Sequence, residues 1–285
     1  MYRDRQDIRR FLHENDFVAA ICVDEVKGSA PRDAGAWMLV SPGAVFRTIG
    51  GGNLEFMAIE KARRILASGA SEDVLSIPLG PEIGQCCGGH VRLTVQRLGE
   101  TEQSEYVARI DHELAELSNV FVFGAGHVGR ALSEALSLLP LRPVLVDTRA
   151  DELEAAAEGI ETCLTAVPES IVRTAPEGSA FVVLTHDHSL DFLIVREALK
   201  RGDARYVGMI GSRTKRASFS RWFASETGDQ DSLKGLVCPI GNRTAGDKRP
   251  EVIASLVAAE ITACLTAAGT TKAEQKKPVR VREGT

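Results

Sequence analysis

Two cysteines stand side by side in EIGQCCGGHV, residues 82–91, where Cys86 and Cys87 follow Gln85 and precede two glycines. Thiolate is the nucleophilic and metal-binding form of cysteine, and backbone N–H donors or nearby cations favour it. Its softness suits thiophilic centres better than magnesium or calcium. A vicinal pair makes a poor structural disulfide, because its Cα atoms are only about 3.8 Å apart. An exposed pair is also open to oxidation, so redox sensing is a further chemistry it offers. The remaining cysteines complete no C-x-x-C and no zinc-type quartet. Cys22, Cys163 and Cys264 lie in apolar periodic segments and are expected to be small buried hydrophobes.

Glycine turns are the second chemical signal. Gly124, Gly126 and Gly129 form G-x-G-x-x-G directly after the apolar strand NVFVF and directly before a helix. Asp147 closes the next strand, 18 residues after Gly129. In such a unit the first glycine makes the turn, the second admits a phosphate, and the third lets helix and strand pack closely. Asp147 is then placed to accept hydrogen bonds from ribose hydroxyls. A second turn, TIGGGNLEF, puts Gly50, Gly51 and Gly52 before another helix, where exposed N–H groups can hold an oxyanion. The segment GSAPRDAGAWM adds Ser29, Arg32 and Gly35, a small-residue loop with one cation.

Two more loops belong at the carboxyl ends of apolar strands, where open α/β sheets bind ligands. In THDH, residues 185–188, His186 and His188 flank Asp187; metal binding, proton transfer and helix capping by Asp187 are all open to it. In MIGSRTKR, Ser212, Arg213 and Lys215 open a helix with basic residues in its first turn. That arrangement opposes the helix dipole and would be relieved by a bound anion.

The elements that must position these residues fall into two groups. Residues 1–99 read as a small α+β domain: a helix over 3–15, strands near 17–26, 37–42, 44–49, 73–79 and 90–98, and a helix after the triple glycine. Residues 100–117 read as a polar linker running into a connecting helix. Residues 118–269 alternate apolar strands with helices, the pattern of a parallel sheet covered on both faces, and are expected to be a Rossmann-like doubly wound domain. Residues 270–285 are polar and expected to be disordered.

The chain has 285 residues and a formal net charge of −5, which argues against a nucleic-acid or anionic-membrane partner. It contains no apolar run of the roughly 18–20 residues that span a bilayer, and its first residues do not resemble a signal peptide. A cytoplasmic location is expected. A homodimer is the expected assembly on general grounds.

Taken together, GSAPRDAGAWMLV, TIGGGNLE, GQCCGG, VFGAGHVG, THDHSLD and YVGMIGSRTKR resemble the XdhC/CoxI family, the xanthine dehydrogenase accessory proteins, over about residues 10–265. The C-terminal segment near VCPIGNRTAGDKRPEVIA departs from the family pattern and keeps Pro239, Ile240 and Gly241 only in part. The resemblance implies a non-enzymatic chaperone. It would bind the molybdenum cofactor (molybdopterin), protect it during sulfuration by a cysteine desulfurase, and help insert it into xanthine dehydrogenase or a related molybdenum hydroxylase. Cys86 or Cys87 would then serve the metal end or sulfur handling. Gln85, Gly50, Gly51, Gly52, Gly124, Gly126, Gly129, Asp147, His186, Ser212, Arg213 and Lys215 would contact the cofactor. NAD(P) or another nucleotide stays open as a ligand of the Rossmann turn, and an NAD(P)-dependent oxidoreductase is the alternative reading. A nucleotide-responsive regulatory module is a further one.

Overall fold

The computed structural model describes residues 2–81, 88–227, 229–241 and 247–273, with side chains described from 6 to 265. The chain divides into two compact units, one over residues 3–113 and one over 114 onward.

The first unit begins with helix α1 (Tyr2–Glu14) and strand β1 (Val18–Lys27). Strands β2 (Trp37–Val40) and β3 (Val45–Phe46) follow, then helix α2 (Gly52–Ser68), strands β4 (Glu72–Pro78) and β5 (His90–Leu98), and helix α3 (Glu100–Ala115). The sheet is antiparallel in the order β3-β2-β1-β5-β4. Helix α2 covers it with Leu54, Ala58, Ala62 and Ile65, all buried. Their spacing of three and four places them on one helix face, where they join Ala19, Ile21, Val23, Leu93 and Val95 of the sheet.

Three expectations change in this unit. The strand expected over 44–49 is only the two-residue β3, because Ile49 and Gly51 give their N–H groups to a side chain rather than to a ladder. The polar linker expected from residue 100 is helical from its first residue, with Glu100 and Glu102 in the favoured acidic first turn. Cys22 is only partly buried; its thiol meets the Tyr106 hydroxyl of α3 at 3.1 Å.

The second unit contains strands β6 (Ser118–Phe123), β7 (Leu141–Asp147), β8 (Glu161–Leu164), β9 (Ala180–Val183), β10 (Tyr206–Met209) and β11 (Leu236–Val237). They form a parallel sheet in the order β11-β10-β9-β6-β7-β8. Helices α4 (His127–Ser137), α5 (Ala150–Glu154), α6 (Pro168–Thr174), α7 (His188–Arg201), α8 (Arg213–Thr227) and α9 (Pro250–Ala273) connect and follow the strands. The inner strands of the sheet are buried on both faces, whereas the edge strand β8 is partly exposed. On β6, Val120 and Val122 pack with Leu132 and Leu136 of α4 and Val257 and Ile261 of α9. Phe121 and Phe123 point the other way, toward Val172 of α6, Ile194 of α7 and Phe219 of α8. Burial of one such phenylalanine is worth about 1.5–3 kcal/mol, so β6 carries much of the unit's apolar burial.

The short helices α5 and α6 were not legible as separate elements, being only 5 and 7 residues long. Helix α9 continues to Ala273, past the expected boundary at 269; residues 274–285 lie outside the described residues. Cys264 is exposed rather than buried. The inward face of α9 is set by Ala254, Val257, Ala258, Ile261 and Leu265, and Cys264 falls beside that stripe, donating to the Arg205 carbonyl at 3.1 Å. Among the described residues no helix is long and apolar enough to cross a membrane.

Candidate functional site

In the first unit the glycine-bearing strips approach one another closely. Ser29 forms a parallel bridge with Gly88. A Cβ placed on Gly89 would lie 2.1 Å from the Ser29 carbonyl oxygen and 2.9 Å from that of Lys27. One placed on Gly50 would lie 2.5 Å from Pro31 Cβ. Alanine fits at neither position, so these glycines are required by the approach of one strip to another. Gly88 N–H donates to the Leu79 carbonyl at 2.8 Å, and Leu79 N–H to that of Gly89 at 2.7 Å. Those two bonds fix the base of the connection from β4 to β5. Gln85, Cys86 and Cys87, in that connection, lie outside the described residues.

The triple glycine adopts positive φ throughout, +127° at Gly50, +75° at Gly51 and +66° at Gly52, a region open to glycine at little cost. The anion expected at this turn is supplied by the chain itself. Glu55, in the first turn of α2, accepts from the N–H groups of Ile49 and Gly51, both at 3.0 Å, and from the Thr48 hydroxyl. Gly50 N–H donates to Thr48 Oγ1 at 3.0 Å. Arg32 is exposed beside the turn, its Cγ 3.3 Å from where a Gly50 Cβ would stand.

In the second unit the three glycines of the dinucleotide-type turn differ sharply in what demands them. Gly124 has φ +111°, and a Cβ there would sit 2.5 Å from the Leu184 carbonyl oxygen. At Gly129 a Cβ would sit 1.8 Å from the Gly124 carbonyl oxygen. Gly126 has an ordinary φ of −66° and nothing within 4 Å of its Cβ position. Close backbone approach requires the outer two and not the middle one.

Asp147 is 5% exposed and its carboxylate is fully engaged. Oδ2 accepts from Ala125 N–H at 2.6 Å and Arg149 Nη2 at 3.1 Å; Oδ1 accepts from Arg149 N–H at 3.0 Å and Arg149 Nε at 3.1 Å. Burial pushes its pKa up, but the Arg149 guanidinium and the two backbone donors outweigh burial and hold the carboxyl below its ordinary value. Arg149 also pairs with Glu152 at 3.1 Å, and Glu152 with Arg130 at 2.7 Å. Arg130 returns to the turn, donating to the Ala125 carbonyl at 2.7 Å. Both polar groups of the Ala125 peptide are thereby held by side chains.

A pocket opens at the carboxyl ends of β6, β7 and β9, where the strand order reverses. It encloses about 210 Å³, counting the part open to solvent. Phe123, Val146, Pro168 and Leu190 form apolar walls; Asp147, Thr148, Thr185 and His186 are its polar lining. His186 is exposed. Asp187 is the cap of α7, accepting from Ser189 N–H at 2.7 Å and Leu190 N–H at 3.3 Å. Those bonds lower its pKa.

Lys215 does not face solvent as a free cation. Its ammonium pairs with Asp191, which is 0% exposed and also accepts from the Thr185 N–H at 3.0 Å and hydroxyl at 2.7 Å. The basic first turn of α8 is thus partly answered by a buried carboxylate. Ser212 caps the same helix, accepting from Lys215 N–H at 3.1 Å, and Arg213 is exposed. Glu55, Arg149 and Asp191 are the site residues that sequence reasoning missed. Each lies within the segments already singled out or just after them, Glu55 four residues past Gly51, Arg149 two past Asp147, Asp191 in THDHSLD. Among the described residues no group of three His, Cys, Asp or Glu is placed to hold a metal.

The family model described as the XdhC and CoxI family matches residues 12–78, and that described as the XdhC Rossmann domain matches residues 120–261. A curated Escherichia coli (strain K12) protein, YqeB, is 24% identical over 258 residues, 86% of this chain and 43% of that protein. The chain therefore spans less than half the length of this curated relative. A crystal structure from Bacillus halodurans described as a xanthine dehydrogenase superposes with a TM-score of 0.74 at 16% identity, covering 98% of each chain. That likeness concerns the fold.

Proposed function

This chain belongs to the XdhC and CoxI family, and from that premise we propose that it is an accessory protein of a molybdenum hydroxylase of the xanthine dehydrogenase type. In this reading it is a chaperone rather than an enzyme. It binds the molybdenum cofactor (molybdopterin), shields it while a cysteine desulfurase supplies the terminal sulfur, and helps insert it into the client. The reading places the chain in the cytoplasm and makes it a homodimer.

The observation that carries the proposal is the convergence of GSAPR, the triple glycine and Gly88–Gly89 at the base of the connection bearing Cys86 and Cys87. The residues suit such a cofactor unevenly. Exposed Arg32 offers charge for a phosphate, and Gly51 and Gly88 leave open space, with nothing within 4 Å of either Cβ position. The Ile49 and Gly51 amides do not suit it, since Glu55 holds them. When bound, the cofactor supplies a thiophilic metal centre, for which Cys86 and Cys87 are the chain's soft donors. In the second unit Gly126, His186 and Arg213 stay accessible as contacts, whereas Asp147 and Lys215 are engaged by Arg149 and Asp191.

An NAD(P)-dependent oxidoreductase is the second reading, favoured by the strand order and the glycine turn. The engagement of Asp147 weighs against it. The deciding experiment is purification of the full chain under reducing, anaerobic conditions from cells that make the cofactor, followed by metal and pterin analysis. Molybdenum and pterin are expected to co-purify, and the Cys86→Ala/Cys87→Ala variant to lose most of the molybdenum. Unchanged metal in that variant removes the thiols from the mechanism. Absence of both metal and pterin from the wild type overturns the chaperone reading, and NADH turnover with a carbonyl substrate installs its rival.

A further inference from the structure

The pocket at the ends of β6, β7 and β9 has the place in the fold where doubly wound domains hold the ribose of a nucleotide. What reads a ribose there is a carboxylate with free lone pairs facing the 2′- and 3′-hydroxyls. An ionised carboxylate offers about four lone-pair sites, two on each oxygen. Asp147 has all four occupied: one on each oxygen by a backbone N–H, of Ala125 and of Arg149, and one on each by the Arg149 guanidinium. The backbone donors belong to the fold. The guanidinium alone is removable, and it covers one acceptor site on each oxygen, the pair that a cis-diol needs.

Exchange with a ligand is unfavourable on electrostatic grounds as well. A neutral diol that displaced Arg149 would substitute two uncharged hydroxyls for a forked, charge-assisted contact to a buried carboxylate. Arg149 is further held from its outer side by Glu152, which Arg130 anchors in turn. We infer that Arg149 is the specificity-determining residue of this pocket, closing it to the ribose diol of NAD-type dinucleotides. The pocket is a ribose site built by the fold and shut by one side chain. This inference does not depend on the chaperone reading, since it concerns what the second unit excludes.

The test is calorimetric titration of the full chain with ADP-ribose and with its 2′-deoxy analogue. The wild type is expected to bind both equally weakly, because the diol is not read. Arg149→Ala frees the two acceptor sites while keeping the residue-149 N–H. It is expected to bind ADP-ribose at least about tenfold more tightly than the wild type does, the scale of one or two hydrogen bonds to a charged group. The 2′-deoxy analogue is expected to lose that gain. Arg149→Gln, which is neutral and closer in size, serves if the alanine variant does not fold. Tenfold preference of the wild type for ADP-ribose over the deoxy analogue overturns the inference. So does the absence of any gain in a folded Arg149 variant.

Discussion

The two glycine turns solve the same problem with carboxylates of different origin. At the first turn the Ile49 and Gly51 amides close on Glu55, four residues past Gly51 and half-buried. At the second, the Ala125 amide closes on Asp147, from the neighbouring strand and almost wholly buried. The first carboxylate belongs to the local start of a helix and is reached by chain geometry alone. The second depends on strand pairing between β6 and β7, and burial obliges it to carry a counter-charge, Arg149. A glycine turn is therefore not by itself a vacant anion site; what fills it depends on which carboxylate the fold brings within reach.

The comparison is broken most severely at Gly129. A Cβ there meets backbone at 1.8 Å, with no flexible side chain to yield, so Gly129→Ala is expected to cost about 3 kcal/mol or more. Denaturant unfolding should show the second unit losing cooperativity while the first does not.

Asp147→Ala comes next, at about 3 kcal/mol, because it leaves the Ala125 amide without its acceptor and the Arg149 guanidinium with Glu152 as its remaining carboxylate partner. Its pH dependence identifies the cause. The folded pKa is depressed below the ordinary 3.8, so the contribution is present in full above the unfolded value and lost as pH falls through the folded one. The stability gap between wild type and Asp147→Asn should stay constant from neutrality down to about pH 5 and narrow only in more acidic solution. A gap that narrowed between pH 8 and 6 would exclude Asp147 as its source.

Glu55→Ala should cost less, about 1–2 kcal/mol. It orphans the buried Ile49 amide, but the loss is local and the turn is partly open to water. Equal costs at Glu55 and Asp147 in chemical unfolding would erase the distinction between a local and a tertiary carboxylate. The smallest effect is expected at Gly126. Its φ is ordinary and its surroundings are open, so Gly126→Ser, which adds a capping hydroxyl to α4, should change stability by less than about 0.5 kcal/mol. A large loss there would mean that packing, not ligand access, demands this glycine.

Much of the fold was legible because hydrophobic period and turn residues are local. The alternation Val120, Phe121, Val122, Phe123 places successive side chains on opposite faces of a strand, and the structure buries both sets. The glycines were legible as turns for the same reason. The motif spacing also separated two of their roles: Gly126, read as the glycine a phosphate approaches, has open surroundings, and Gly129, read as the packing glycine, has no room for a Cβ. Lys215 and Arg213 read alike as helix-opening cations, yet one is paired with a buried carboxylate and the other is exposed. The difference comes from Asp191, 24 residues earlier, which faces the start of α8 only after β9 and β10 have paired.

The sequence by itself determined the two-part α/β plan, the positions of the glycine turns before α2 and α4 and the family, since these follow from short-range periodicity and from motifs a few residues long. Only the tertiary structure decided which charges remain available for a ligand. Whether a carboxylate or an ammonium is free depends on the partners that packing brings within 3 Å, and a buried charge without such a partner costs several kcal/mol. Folding therefore pairs Asp147 with Arg149 and Asp191 with Lys215 before any ligand is considered.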